Sequence, residues 1–135
     1  MVFVDTSFLV GFILTRDSAH AAARALGSRL LAEPLCTSEL VLGETWTLVR
    51  KRSGHRQAMS WIDYVRGVPH IRVEPVDGAI ADEAWAWLRL HNERSYSFVD
   101  ATSFALMRRL RITDALAFDG DFAAAGFSEL RAESA

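Results

Sequence analysis

Short all-apolar runs alternate along the chain with longer segments in which apolar residues recur at helical spacing. Val2-Phe3-Val4 reads as a short buried strand ending at Asp5-Thr6-Ser7, and the run from Ser7 to Leu14 reads as a helix. Beyond Asp17, a candidate cap, the alanine- and leucine-rich stretch 18–32 predicts a second helix. Pro34-Leu35-Cys36-Thr37 is the next strand. Ser38 then caps a helix to about Arg52, and Gly54 separates it from another over Gln57 to Val65. The run Ile71 to Val76 is a strand that Pro75 either ends or confines to an edge. Asp77 caps a helix to about His91, Ser97 caps one to about Leu110, and Ala115 to Phe118 is the last clear strand. The pattern does not decide whether Phe127 to Arg131 adds a further one.

Apolar strands alternating with amphipathic helices imply an α/β fold with a mainly parallel sheet covered on both faces. In such sheets ligands bind beyond the carboxyl ends of the strands, which fixes where chemistry is to be sought. The length of 135 residues suits one domain over 1–135. Half of the residues are hydrophobic and 24% are charged, which argues against disorder.

The formal net charge of −2 gives no general steering toward nucleic acid, so any such binding must rest on a local basic patch. Lys51 is the only lysine, which removes mechanisms needing one elsewhere. Cys36 is the only cysteine, excluding an intrachain disulfide and a thiolate metal cage. His20, His55, His70 and His91 lack the i, i+4 pairing of helical zinc sites. The N-terminal stretch has no positive n-region, and the longest apolar run, Phe8 to Leu14, falls short of the ~20 residues that span a bilayer. A soluble, cytoplasmic protein is expected.

Four acids stand where the strand-end rule points. Asp5 ends the first strand, Glu44 lies about two turns into the helix after the second, Asp100 is in the first turn after Ser97, and Asp119 follows Phe118. Each has a purely structural explanation as well. Asp5 caps a helix, Asp100 completes a capping arrangement with Ser97, and Asp119-Gly120 is a common turn dipeptide. Glu44 is harder to explain away, because its neighbours at i−4, i−3 and i+4 are Leu40, Val41 and Leu48. A carboxylate on an apolar face needs a partner or a metal. Asp100 shares its stripe with Phe104 and Met107.

Carboxylates ~4 Å apart repel by roughly 4 kcal/mol per pair at an effective dielectric of 20, so a cluster requires protons or cations. Oxygen ligands without His or Cys favour Mg²⁺ or Mn²⁺. Such ions suit phosphodiester cleavage, and they alone make an acidic pocket hospitable to an anionic substrate.

Four segments carry a resemblance. Val4-Asp5-Thr6-Ser7-Phe8-Leu9, the Gly43-Glu44 pair, Ser97-Phe98-Val99-Asp100-Ala101 and Phe118-Asp119-Gly120-Asp121-Phe122 together resemble the PIN domain. More closely, they are similar to the VapC-type toxins of bacterial toxin–antitoxin systems, over nearly the whole chain. The resemblance implies a three-layer α/β/α sandwich, Mg²⁺- or Mn²⁺-dependent endoribonuclease activity, a homodimer and inhibition by a cognate antitoxin. Carried over by position, it implies that Asp5, Glu44, Asp100 and Asp119 are the catalytic, metal-holding acids. Thr6, Ser7 and Ser97 would support them, and Asp121 competes with Asp119 for the fourth role. The chain departs from many relatives at Ala117, where a hydroxyl two residues before the fourth acid is missing.

Arg50, Lys51, Arg52 and Arg56, with His55, form one candidate phosphate-binding cluster, and Arg108, Arg109 and Arg111 another. Solvated helix ends explain both clusters equally simply. Trp85 and Trp87 point about 200° apart on one helix, so they cannot enter the same core face. One is expected at the surface, as a partner contact or packed under a loop. A haloacid-dehalogenase phosphatase or a receiver domain fits poorly, since each needs a lysine late in the chain. Two alternatives stay open: a PIN-like nuclease of RNA processing, and a binding module whose acids hold a structural cation.

Overall fold

A computed structural model describes residues 1–30 and 32–132. In order the elements are β1 (Val2–Val4), α1 (Thr6–Ile13), α2 (His20–Leu30), β2 (Leu35–Ser38), α3 (Glu39–Ser53) and α4 (His55–Gly67). They continue with β3 (Ile71–Glu74), α5 (Gly78–Leu90), α6 (Phe98–Leu110), β4 (Asp114–Leu116), α7 (Asp121–Ala124) and β5 (Ser128–Glu129). The strands form one five-stranded parallel sheet in the order β3-β2-β1-β4-β5.

Helices cover both faces because the side chains of β1 alternate. Phe3 points to the face where Phe122 and, beyond it, Phe104 pack edge to stack, with centroids 6.2 and 4.9 Å apart along that chain of rings. Val4 points to the opposite face, where it lines an apolar cavity with Phe8, Leu9, Leu35, Trp61 and Leu116. Every residue of β1 and β2 is buried, as the two central-side strands of a doubly covered sheet require. The expected three-layer α/β/α architecture is the observed one.

Local signals start the helices. Asp5 Oδ2, Ser38 Oγ, Asp77 Oδ1 and Ser97 Oγ each accept a backbone N–H of the first turn that follows. Asp17 Oδ2 accepts the Ala19 N–H, and α2 begins at His20 rather than Ser18; its expected end at 32 includes position 31, outside the described residues. Pro75 ends β3, which is an edge strand. The strand before the Asp119 turn is shorter than expected, closing at Leu116. It is not the last, because α7 and the two-residue β5 follow. No helix among the described residues is long and apolar enough to cross a membrane.

The sheet reverses its winding between β1 and β4. From β1 the chain winds outward to β2 and β3, and then returns to place β4 on β1's other side. The crevice beyond the carboxyl ends of β1 and β4 is therefore the switch point where open α/β sheets bind ligands.

Candidate active site

Asp5 follows β1 directly and lies at one wall of that crevice; Asp119 lies three residues beyond β4 at the other. One open pocket takes in Asp5, Glu44, Asp100, Asp119 and Asp121, together with Thr6, Ser7 and Ser97. The four acids read from the sequence, the competing fifth and all three supporting hydroxyls thus converge. Asp17 and Ser95, which sequence reasoning did not single out, also line it.

Within the pocket the acids are not equivalent. Ligand oxygens of Asp100, Asp119 and Asp121 lie within 4.8 Å of one another. Asp100 is buried, Asp121 half-buried and Asp119 exposed. Asp5 is buried beside this trio, and its Oδ2 accepts both the Ser7 hydroxyl at 2.8 Å and the Ser7 N–H at 3.1 Å. The capping explanation and the site coexist at Asp100 as well. Its Oδ2 accepts the Ser97 N–H at 3.0 Å while Ser97 Oγ accepts the Asp100 N–H at 2.9 Å, which closes a capping box.

Glu44 corrects an expectation. It is half-buried and faces the open pocket, because the buried positions of α3 are Val41, Leu42, Thr45 and Val49. Leu40 and Leu48 are themselves only half-buried, so no apolar face surrounds the carboxylate.

Burial and mutual repulsion govern the protonation of three acids. Asp5 is pushed up to about 7, by burial first and then by the charges of Asp119 and Asp100, against the Ser7 hydrogen bonds. Asp100 is pushed up to about 6, again by burial first, with the charges of Asp119 and Asp121 adding to it. Asp119, though exposed as a residue, is raised by partial desolvation of its carboxyl and by the charges of Asp121 and Glu129. Each group is thereby poised to exchange its proton for a cation.

The turn carrying Asp119 and Asp121 is held from several sides. Gly120 sits at φ +82°, which only glycine adopts without strain, and the Asp121 N–H donates to Asp119 Oδ1 at 3.1 Å. Phe118 N–H donates to Ser7 Oγ at 3.0 Å, linking this turn to Asp5's helix. Arg94, in the segment between α5 and α6, donates from Nε to Asp121 Oδ1 at 3.0 Å and from Nη2 to the Asp119 carbonyl at 3.3 Å. On the other side Glu129 of β5 accepts the Gly120 and Ala123 N–H groups, at 3.3 and 3.0 Å. Sequence reasoning missed Arg94, Glu129 and Arg131, the last of which pairs with Glu129 at 2.8 Å. Their contacts to the 117–123 segment are set by the tertiary fold, so no local pattern marked them.

The basic candidates divide. Arg52 pairs with Asp17 at 3.1 Å and so reaches the rim of the acidic pocket. Arg50, Lys51 and Arg56 are exposed around the turn from α3 to α4. Arg108 and Arg109 face Glu83 and Asp77 at 3.6 and 3.8 Å, as solvated helix-end charges do.

The donor set fits a hard divalent cation. It is all oxygen, three carboxylates already lie within chelating distance, and the buried Thr6 Oγ1 beside them has no hydrogen-bond partner among the described residues. A parallel sheet with such a cluster at its switch point is the build of a metal-dependent nuclease of the PIN type. The chain belongs to the PIN-domain family, whose model matches residues 2–128, and PIN domains are nucleases. The 23S rRNA-specific endonuclease VapC20 of Mycobacterium tuberculosis, from strains CDC 1551 / Oshkosh and H37Rv, is 49% identical to it. That match runs over 135 residues, 98% of this chain and 100% of the relative. A crystal structure of M. tuberculosis VapC20, described as a sarcin-ricin loop cleaving toxin, matches with a TM-score of 0.91 at 48% identity. The match covers 97% of this chain and 99% of that one.

Proposed function

We propose that residues 1–135 form a single PIN domain acting as a Mg²⁺- or Mn²⁺-dependent endoribonuclease, the toxin of a VapBC-type toxin–antitoxin pair. The observation that carries this reading is the convergence of Asp100, Asp119 and Asp121 to within 4.8 Å, beside Asp5 and Glu44 in one pocket. The 49% identity to a 23S rRNA-specific endonuclease supports RNA as substrate, and ribosomal RNA as the class to test first. Bound divalent cation supplies activation of water and charge neutralisation at the scissile phosphate.

The chain's own residues do the rest. Asp100, Asp119 and Asp121 hold the cation, with Asp5 and Glu44 completing the acidic wall. Ser7 fixes Asp5 Oδ2 by its hydroxyl and N–H, leaving Oδ1 free to orient water or complete the acidic wall. Thr6 and Ser97 support the cluster from the helix starts. Arg50, Lys51, Arg52 and Arg56 supply the local positive charge that RNA phosphates need, since the pocket itself repels them. In this reading the protein works in the cytoplasm as a homodimer, silenced by its antitoxin.

The test is cleavage of structured RNAs, including 23S rRNA and its sarcin-ricin hairpin, beside single-stranded DNA, with Mg²⁺, Mn²⁺ or EDTA. Asp100→Asn is the control. Metal-dependent RNA cutting that the variant lacks is expected. Failure to cut any RNA, together with failure to bind either ion in calorimetry, defeats the catalytic reading. Growth arrest on expression, relieved by an adjacent small gene, distinguishes a toxin from a processing nuclease.

A further inference from the structure

Glu129 is the most thoroughly enclosed charge at the edge of the site. Its side chain is 1% exposed, although β5 is a two-residue edge strand. Burial of a carboxylate is costly unless its oxygens are satisfied, and here all three partners are specific. Oε1 accepts the Gly120 N–H and an Arg131 Nη2–H at 2.8 Å; Oε2 accepts the Ala123 N–H. Arg131 reaches on from there, donating Nη1–H to the Ala117 carbonyl at 3.0 Å. The pair therefore grips the chain at 117, 120 and 123, on both sides of Asp119 and Asp121.

Burial raises the proton affinity of Glu129, but Arg131 and the two backbone N–H groups outweigh it, so the carboxylate is held ionised. Its charge lies at the start of α7, a helix with no side-chain cap of its own at Gly120. The β4–β5 pairing itself is made by backbone. What Glu129 and Arg131 fix is the turn geometry that brings the two aspartates to Asp100.

We propose that Glu129 and Arg131 are positioning residues for the divalent cation: a charged clamp that holds the Asp119–Asp121 turn in chelating geometry. The inference rests on the metal-dependent reading above and extends it to residues that touch no metal. Partners that orient metal-ligating carboxylates typically contribute about 10- to 100-fold in metal affinity.

Charge and position make opposite predictions, which allows a clean test. If the two residues act only through their net fields, Glu129→Gln weakens cation binding and Arg131→Gln strengthens it. If they act as a clamp, both weaken it. Mn²⁺ binding to the full chain is measured by calorimetry and by electron paramagnetic resonance, with circular dichroism melts to set a temperature at which each variant is folded. The expected result is a rise of about 10-fold in the Mn²⁺ dissociation constant for both variants. Tighter binding by Arg131→Gln, or wild-type affinity in it, overturns the clamp even if Glu129→Gln fails to fold. Wild-type protein that binds no Mn²⁺ overturns the metal reading itself and the clamp with it, so the two failures are distinct.

Discussion

Ser7 ties Asp5 to the far end of the chain: its hydroxyl donates to Asp5 Oδ2 at 2.8 Å and accepts the Phe118 N–H at 3.0 Å. One side chain thus fixes the acid that follows β1 and the segment leading to the Asp119 turn. Replacing Ser7 by Ala leaves the Phe118 N–H without its partner and is expected to cost about 1–3 kcal/mol in chemical denaturation. It also removes a hydrogen bond that favours the ionised Asp5, so the pH midpoint of Mn²⁺ binding moves upward. A variant as stable as wild type with an unmoved midpoint would show that the hydroxyl bridges nothing of consequence.

Asp5, Asp100 and Asp119 all hold their protons more tightly in the folded protein than carboxyls of the unfolded chain, which titrate near 3.8. Between that value and about 7 the folded state binds more protons, so the contribution of these groups to stability falls as pH rises through the window. Protein in EDTA is expected to unfold at lower urea at pH 8 than at pH 5. Mg²⁺ or Mn²⁺ should restore the loss at pH 8 and do little at pH 5. Asp5→Asn should flatten the slope. Greater stability at pH 8 in EDTA would contradict the shared origin of these shifts.

Pairing distinguishes Asp119 from Asp121, and the expected difference between them follows from it. Asp121 gives Oδ1 to Arg94, whose guanidinium offsets its charge, whereas no basic side chain pairs with Asp119 among the described residues. Asp119→Asn is therefore expected to reduce metal-dependent cleavage by more than ~100-fold, and Asp121→Asn by about 10-fold, in the range of supporting carboxylates. Single-turnover rates at saturating Mn²⁺ decide it, and a reversed order would assign the fourth role to Asp121.

Trp85 and Trp87 have parted as their spacing requires. Trp85 is 55% exposed and stacks on Phe98 with centroids 4.3 Å apart, while Trp87 packs against His91, Tyr96 and Phe104. Trp87→Ala should lower stability by about 3 kcal/mol, as for other large aromatics lost from packed sites. Trp85→Ala, which tests this exposed ring as a contact of the proposed homodimer, should leave the melt nearly unchanged and shift the mass in light scattering from dimer to monomer. A wild-type-like dimer from Trp85→Ala removes this surface from the proposed dimer contact.

Much of the architecture was legible because its signals are local. Asp5, Ser38, Asp77 and Ser97 each cap the helix expected of them, and a side chain that bonds the backbone two or three residues on is visible in the sequence. The positions of the acids followed from those boundaries and the strand-end rule. Glu44 was misjudged because a helical wheel counts apolar residue types, while burial depends on what packs against them: Leu40 and Leu48 stand half-open. α7 and β5, at four and two residues, are too short to show periodicity. The same brevity concealed Glu129 and Arg131, whose partners lie across a turn rather than along an element.

The strand order also sets a timetable. Asp5 directly follows the first strand, yet its neighbours in the pocket, Asp119 and Asp121, lie beyond β4, and Glu129 and Arg131, which brace them, lie in and just after β5. Chains emerge from the ribosome N-terminus first, so during elongation the acidic pocket lacks one whole wall. With the proposed clamp, that wall closes only after Arg131 has cleared the exit tunnel. The acidic pocket is thus the part of this fold that is completed last.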